Sequence, residues 1–193
     1  SKGRMIVGSV SINMSRLGFK YENKKITDFY LELDEWLDMA KNCLVNIFET
    51  IGNKTKNNYK ILFNKNIIDD DKLENGQKIR KIIKKGVLNL ELAGLAECVI
   101  NLEADEEKQK ELLINIIRYV KEKCEIYTTE SKMNFVVSET SKNRPLKKLM
   151  GLDKSIYGIK KKVTDKDQYQ RIDSLFNFKE NIFGRRKDTK SLV

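Results

Sequence analysis

Polar and apolar residues alternate along the first stretch of the chain and then change to a helical repeat. In residues 5–13, every second side chain falls on the same side of the chain, and the stretch is rich in β-branched residues. This period of two predicts a β-strand. From residue 26 onward, apolar side chains recur every three or four positions and charged side chains fill the other face. This repeat predicts a long amphipathic helix over roughly 27–50, with Thr27 or Asp28 as its N-cap.

The rest of the chain alternates strand-like and helix-like stretches. Residues 86–92 and 133–137 carry strand patterns, and a second long amphipathic helix begins at Asp105, where acidic residues complement the helix dipole. We further expect a loop over 51–75 that contains a candidate fourth strand at 59–63, a short helix at about 76–85, helical turns at 93–102, and a weak pattern after Pro145. Strands that alternate with long helices predict an α/β fold with a parallel sheet.

The positive charge of the chain is concentrated near its C-terminus. The chain has 193 residues and a formal net charge of +10, and residues 141–193 contain 15 Lys or Arg against 6 Asp or Glu. We therefore predict an α/β domain over 1–158 and a basic C-terminal extension over 159–193.

Composition limits the chemistry that the chain can perform. Cys43, Cys98 and Cys124 lie far apart within helical patterns, which favours buried reduced thiols over disulfides. The sequence has no histidine and no CxxC pair, so we expect no metal site and no cofactor. No segment approaches the ~18 consecutive apolar residues of a membrane span, and the first residues do not resemble a signal peptide. These features lead us to expect a cytoplasmic protein.

Six short motifs follow one another along the chain. They are Ile12-Asn13-Met14-Ser15-Arg16, the stretch from Phe29 to Leu37, Gly86-Val87-Leu88, Gly94-Leu95-Ala96-Glu97, Asn134-Phe135, and the stretch from Tyr157 to Tyr169. In this order and spacing they resemble the middle of the catalytic barrel of class III, oxygen-sensitive (anaerobic) ribonucleoside-triphosphate reductases. The resemblance covers residues 5–170.

The resemblance implies a partial reductase-like barrel with two long amphipathic helices. The family barrel has more strands than the three predicted here, or four with residues 59–63. So few strands cannot close a barrel, and we therefore expect an open sheet with exposed edges. A companion chain, self-association or the basic extension would cover such edges.

The family's reactive groups have no counterpart that we can assign in this sequence. The family's attacking cysteine lies before the first motif, and its glycyl-radical loop and cysteine-rich metal site lie after the last one, whereas residues 170–193 contain neither. The family's T-P-A-E loop is replaced by Thr140-Ser141-Lys142-Asn143. The resemblance therefore implies a degenerate relative without catalytic residues of its own.

Four residues are candidates for substrate binding by resemblance: Asn13, Glu97, Thr140 and Ser141. The family counterpart of Asn13 contacts substrate from the end of a barrel strand, where α/β folds usually place their sites. Asn13 is equally suited to cap the turn after its strand. For Glu97, hydrogen bonding to the N-terminal amides of its own helix is the favoured alternative.

Basic residues form three clusters in the C-terminal quarter of the chain. They are Lys142, Arg144, Lys147 and Lys148; Lys160, Lys161 and Lys162; and Arg185, Arg186 and Lys187. Aromatic residues lie between these clusters, and cations can bind phosphates while aromatic faces stack on bases, so nucleic acid or a nucleoprotein is a candidate partner. An acidic protein surface fits equally well, and a solvated basic tail needs no partner.

These features leave three hypotheses for function. We favour a non-catalytic, degenerate relative of the anaerobic reductase barrel that binds a nucleotide near Asn13 or a protein partner along its sheet edge. The second hypothesis is a piece of a split or truncated reductase that is active only with its missing parts. The third is a small basic phage-type inhibitor that binds a host nucleoprotein or defence complex.

Overall fold

An open sheet of three parallel strands organises the fold. The computed structural model describes residues 5–59, 73–74, 76–140, 143–176 and 182–183. The strands are β1 (Ile6–Asn13), β2 (Val87–Ala93) and β3 (Asn134–Glu139), and they lie in the order β1-β2-β3 with β2 in the centre. The helices are α1 (Met14–Tyr21), α2 (Ile26–Gly52), α3 (Arg80–Ile83), α4 (Leu95–Leu102), α5 (Glu106–Ser131), α6 (Asn143–Tyr157) and α7 (Ile172–Leu175). The predicted α/β class with an open parallel sheet is confirmed.

The main hydrophobic core lies between one face of the sheet and the long helices. Alternate residues of the central strand, Leu88, Leu90 and Leu92, are buried in one cluster with apolar side chains of α2, α4 and α5. Strand β1 approaches α2 so closely that a Cβ added at Gly8 would lie 2.9 Å from a methyl carbon of Ile47. Because each fully buried aliphatic side chain contributes about 1.5–3 kcal/mol, this face drives the packing of the helices onto the sheet.

The two long helices predicted from the sequence are present as α2 and α5. The predicted N-cap of α2 is wrong, because the helix begins at Ile26, so that Thr27 and Asp28 already lie within its first turn. Lys25 occupies the N-cap position and makes no side-chain capping bond. The negative charge of Asp28 in the first turn instead stabilises the helix, because it lies near the positive end of the helix dipole.

Three helices were not predicted from the sequence, namely α1, α6 and the four-residue α7. Helix α1 follows β1 directly, and the side chain of Asn13 caps it by accepting a hydrogen bond from the backbone N–H of Arg16 at 3.3 Å. Helix α6 carries Pro145 in its first turn, where the fixed backbone angle of proline is compatible with a helix. Only Leu146 and Met150 form its buried apolar side, which is too few for a clear periodic signal.

The predicted elements between β1 and β2 are only partly described. The candidate strand at 59–63 lies almost wholly outside the described residues, since 60–72 are not among them, and Tyr59 ends a 3-10 helix over Lys56–Tyr59. The short helix expected at 76–85 is reduced to α3. Within the described part of the chain, no helix is long and apolar enough to cross a membrane.

The three cysteines do not share one environment. Cys98 and Cys124 are buried, as predicted, and their burial raises the pKa of both thiols, that of Cys124 to about 12. The prediction for Cys43 is wrong, because its side chain is exposed on α2. Cys43 lies on the flank of the helix that faces the outer edge of β1, where no further strand of the described chain covers it.

Helix α1 crosses α4 with the two backbones in contact at Gly18. A Cβ at this position would lie 2.8 Å from both the Cα and the carbonyl oxygen of Cys98. We expect Gly18→Ala to lower the free energy of unfolding by about 1–3 kcal/mol, since the helices must separate to admit the methyl group. Gly151→Ala on α6 is the matched control, because nothing lies within 4 Å of its added Cβ. Urea titrations of both variants that give equal losses would contradict this account.

Candidate functional site at the strand ends

The carboxyl ends of the three strands meet at one edge of the sheet. Asn13 is paired in register with Ala93, and Leu92 is paired with Glu139, so polar residues at the ends of β1 and β3 flank the start of α4. Open parallel sheets commonly bind ligands at this edge. The candidate site predicted from the sequence therefore falls where the fold places such sites.

A buried carboxylate occupies the centre of this edge. Asp153, fully buried on α6, accepts hydrogen bonds from the side-chain Nδ2 of Asn13 at 2.7 Å and from the Nε of Arg16 at 2.7 Å. A terminal nitrogen of Arg16 also lies 2.6 Å from an Asp153 oxygen, and the hydroxyl of Tyr169 donates to the same carboxylate. We call these four residues, Asn13, Arg16, Asp153 and Tyr169, the strand-end cluster.

The pKa of the Tyr169 hydroxyl reflects this arrangement. Burial raises the pKa most, and the hydrogen bond to Asp153 raises it further. Tyr169 is fully buried, and its phenol therefore remains a neutral donor at physiological pH. The strand-end cluster is thus one carboxylate surrounded by three donor side chains.

The backbone around the strand-end cluster leaves little free space. Gly94 begins α4 with φ of 66°, and a Cβ there would lie 2.9 Å from the Cβ of Ser15 and 3.0 Å from a ring carbon of Tyr169. A glycine is required both by the left-handed backbone and by this close approach. The contact holds the turn after β2 directly against the strand-end cluster.

Glu97 contacts the C-terminal segment rather than an open pocket. Its Oε1 accepts the backbone N–H of Gln170 at 2.8 Å, and its other oxygen is buried without a partner among the described residues. Burial raises the pKa of Glu97 to about 7, although the backbone hydrogen bonds partly oppose this shift. The favoured sequence interpretation, a cap of its own helix, misses this long-range contact.

Glu139 makes a second contact of the same kind, which the sequence analysis did not single out. Its Oε1 accepts the backbone N–H of Ile172 at 2.6 Å, and the Nε of Arg171 lies 3.5 Å from its other oxygen. Burial raises the pKa of Glu139 despite these contacts. Glu97 and Glu139 together fasten the segment around 170–172 to the strand ends.

The two remaining predicted binding residues follow β3. The hydroxyl of Thr140 is buried and has no hydrogen-bond partner among the described residues, while its backbone N–H donates to the carbonyl of Leu92 at 3.0 Å. Ser141 lies outside the described residues. The structure thus places Asn13, Glu97 and Thr140 along the strand ends and leaves their role in binding substrate a prediction.

The sheet face opposite the main core carries a polar network that sequence analysis missed. The Glu91 carboxylate accepts hydrogen bonds from the Ser11 hydroxyl at 3.0 Å and from the Asn89 side-chain amide at 3.3 Å, and the Ser138 hydroxyl donates to Oδ1 of Asn89 at 3.1 Å. The network crosses all three strands, and Asn89, Glu91 and Ser138 are all buried. The period-2 placement of polar residues in β1 and β2 was the signal that could have revealed it.

A groove runs along the outer edge of β1. Four consecutive strand residues, 10–13, line it, so it follows the strand's edge rather than one face of the sheet. Trp36, Met39 and Cys43 of α2 form one wall, Leu149 of α6 contributes to the lining, and the cavity measures about 440 Å³. We call this feature the β1 groove.

The predicted basic clusters have different environments. Lys147 and Lys148 are exposed on α6, whereas Lys160 pairs with Glu22 at 2.5 Å. Lys161 and Lys162 line a second cavity. The side chains of Lys142 and Arg144, and all of Arg185, Arg186 and Lys187, are outside the described residues.

Comparison with solved structures identifies the class of protein that has this fold. The anaerobic ribonucleotide reductase of Thermotoga maritima with citrate in the active site aligns with a TM-score of 0.61 at 16% identity, over 87% of this chain and 32% of that chain. The same organism's enzyme in complex with dATP and CTP aligns with a TM-score of 0.58 at 15% identity, over 87% of this chain and 28% of that one. The fold is that of one part of an anaerobic ribonucleotide reductase.

Sequence comparison establishes the family. The family model described as anaerobic ribonucleoside-triphosphate reductase matches residues 1–182, and this chain belongs to that family. The anaerobic ribonucleoside-triphosphate reductase of Haemophilus influenzae is 27% identical over an alignment of 174 residues, and the match covers 86% of this chain. The chain spans about a quarter of the length of that relative, 24%.

Proposed function

We propose that the chain performs no reduction alone and acts by binding a companion polypeptide, with which it forms the wall of a reductase-type barrel. The observation that carries this proposal is the β1 groove, an apolar channel along a strand edge that no other strand among the described residues pairs with. Unpaired edges of this kind are templates for an additional strand. The expected occupant is an extended segment from the remainder of a reductase barrel.

The composition of the β1 groove fits an added strand. Its α2 wall offers the ring of Trp36 and the side chain of Met39, which is 64% exposed. Such a large exposed apolar side chain beside the outer edge of β1 matches a segment that inserts alternate apolar residues.

The polar face of the sheet also supports a place within a larger barrel. A stand-alone sheet gains most stability when both faces pack against apolar groups, whereas here Asn89, Glu91 and Ser138 face away from the main core. In a barrel, helices cover the outer face of the sheet and the other face lines the interior. The polar network fits that inner position.

The strand-end cluster favours a protein partner over a nucleotide at Asn13. The side-chain amide of Asn13 already donates to Asp153, and its carbonyl oxygen accepts from Arg16. A nucleotide would have to displace a fully buried carboxylate together with α6. A partner segment that binds in the open β1 groove displaces neither Asp153 nor α6.

The positions of the cysteines support the absence of chemistry in the isolated chain. Cys98 and Cys124 are buried with raised pKa values, so neither thiol can meet a substrate at the surface. Cys43 is exposed, but it lies in the β1 groove and not in the strand-end cluster. A sample of the pure chain that reduced a ribonucleoside triphosphate with an electron donor and a radical activase would overturn this part of the proposal.

The same groove favours a second candidate, a piece of a split reductase that becomes active when its companions bind. The match to the family over residues 1–182, with only 24% of the H. influenzae relative covered, is consistent with such a piece. Turnover by the assembled chains would separate this candidate from a purely non-catalytic binding role. Binding without turnover favours the first proposal.

A charge placed in the β1 groove tests the binding proposal. We expect Met39→Glu to weaken capture of the companion chains roughly tenfold, because a carboxylate would be buried against the added strand. The companions tested are separately expressed polypeptides that carry the rest of an anaerobic reductase sequence, and co-purification measures their capture.

Leu31→Glu is the matched control for this experiment, because Leu31 is an exposed apolar residue of the same helix, at 67%, that does not line the groove. Equal capture by the two variants, or no capture by the natural chain, would contradict the proposal. Bound companion should also protect the exposed Cys43 from maleimide labelling. If Met39→Glu instead lowers the mass of the pure chain in sedimentation, the occupant is a second copy and the companion proposal fails.

A further inference from the structure

We propose that a second cavity, separate from the strand ends, binds an organic polyphosphate. This lysine pocket lies between the turn that joins α4 to α5 and the loop after α6, and its volume is about 680 Å³. Its lining includes Lys110, Lys161, Lys162 and Lys166. The strand-end cluster and the β1 groove contribute none of its lining residues, so the site is independent of the proposed partner binding.

The charge of the lysine pocket selects an anion. Four lysines face two carboxylates, Glu106 and Asp165, in the lining. Lys162 and Glu106 are 3.5 Å apart and both are largely exposed, at 67% and 76%. Exposed ion pairs of this kind are weak and solvated, so a multiply charged ligand can replace Glu106 as the partner of Lys162.

A second lysine of the pocket is held in the same replaceable way. Lys110 pairs at 2.7 Å with Glu107, whose side chain is 83% exposed and points to solvent. Lys166 donates to the neutral amide oxygen of Gln170 at 2.5 Å and so keeps its full charge uncompensated by that contact. The pocket therefore offers ammonium groups from two separate parts of the fold.

The loop that carries Lys161 and Lys162 is built to a fixed shape. The buried hydroxyl of Thr164 accepts the backbone N–H of Lys160 and donates to the carbonyl of Gly158, both at 2.8 Å. Lys162 has φ of 66°, a left-handed conformation that a non-glycine residue adopts only when its surroundings enforce it. The loop backbone therefore needs no rearrangement to present these two lysines to a ligand.

The apolar part of the lining defines the rest of the ligand. Ile100, Ala104 and the ring of Phe176 line the pocket together with the lysines, and Phe176 is only 6% exposed. A ligand with phosphates at one end and a flat apolar group at the other satisfies both sides. The volume lies within the roughly 300–1,000 Å³ of typical small-molecule sites. A nucleoside triphosphate is the simplest member of this class.

Isothermal titration calorimetry with the full chain tests the site, with ATP, inorganic tripolyphosphate and adenosine as probes. We expect ATP to bind, tripolyphosphate to bind more weakly, and adenosine to give no measurable heat. The double variant Lys161→Gln/Lys162→Gln should weaken ATP binding roughly tenfold. Lys147→Gln/Lys148→Gln is the matched control, since it removes an equal charge from exposed positions outside the pocket.

The outcomes separate this site from general attraction to a basic protein. Equal weakening by the two double variants, or no ATP binding by the natural chain, would overturn the proposal. Equal affinity for tripolyphosphate and ATP would overturn the role of the apolar wall. Binding of a single-stranded oligonucleotide without binding of ATP would assign the lysines to a nucleic-acid surface instead. Circular dichroism of each variant confirms that the fold is retained.

Discussion

Asp153→Ala is expected to lower the free energy of unfolding by about 3–5 kcal/mol, the range for removing one partner of a buried charge pair. The carboxylate is fully buried and accepts from the Asn13 amide, the Arg16 guanidinium and the Tyr169 hydroxyl. Its removal leaves three donors facing a cavity, and each buried unpaired donor carries its own desolvation cost. Urea titration of the variant measures the loss.

The control and the coupled variant for Asp153 are available in the same chain. Asp167→Ala removes an exposed carboxylate and should change the free energy of unfolding by less than about 0.5 kcal/mol. Once Asp153 is alanine, a further Arg16→Gln change should cost little, because the two residues act as one unit. Additive losses in the double variant would show that Arg16 and Asp153 do not depend on each other.

The strand-end cluster shows which part of the site the sequence could reveal. Asn13 was predicted from its resemblance to a family residue that contacts substrate, and only its place at the end of a strand follows from the local period-2 pattern. Asp153 comes from a helix that is 140 positions further along the chain and has only a narrow apolar side. Long-range pairing of this kind depends on how α6 packs across the strand ends, which no local periodicity encodes.

Cys43 and Glu91 show two different reasons why a prediction from the sequence failed. Cys43 lies next to Leu44 in the helical repeat, and the prediction of a buried thiol failed because, among the described residues, no strand lies beyond β1 to cover that flank of α2. Glu91, by contrast, was missed although its position in an alternating strand marks the polar face. Avoiding the first error would have required knowing where the sheet ends. Avoiding the second would have required only a stricter use of the period-2 pattern.

Glu97→Gln is expected to make the fold less sensitive to pH than the natural protein. The pKa of Glu97 is raised from its ordinary 4.5 to about 7, chiefly by burial. A carboxyl with a raised pKa in the folded state contributes stability that is present below pH 4.5 and is lost as the pH rises through about 7. At 1.36 kcal/mol for each pKa unit, the loss is about 3 kcal/mol.

The comparison of the two proteins at two pH values isolates this effect. The free energy of unfolding of Glu97→Gln, relative to the natural chain, should rise by up to about 3 kcal/mol between pH 5 and pH 8. Any packing cost of the amide is the same at both pH values and cancels, and Glu139, whose pKa is also raised, titrates in both proteins. Glu111→Gln on the exposed side of α5 should show no such change. If the difference between Glu97→Gln and the natural chain is independent of pH, Glu97 is not the buried proton-binding group that holds the segment around Gln170 to the strand ends.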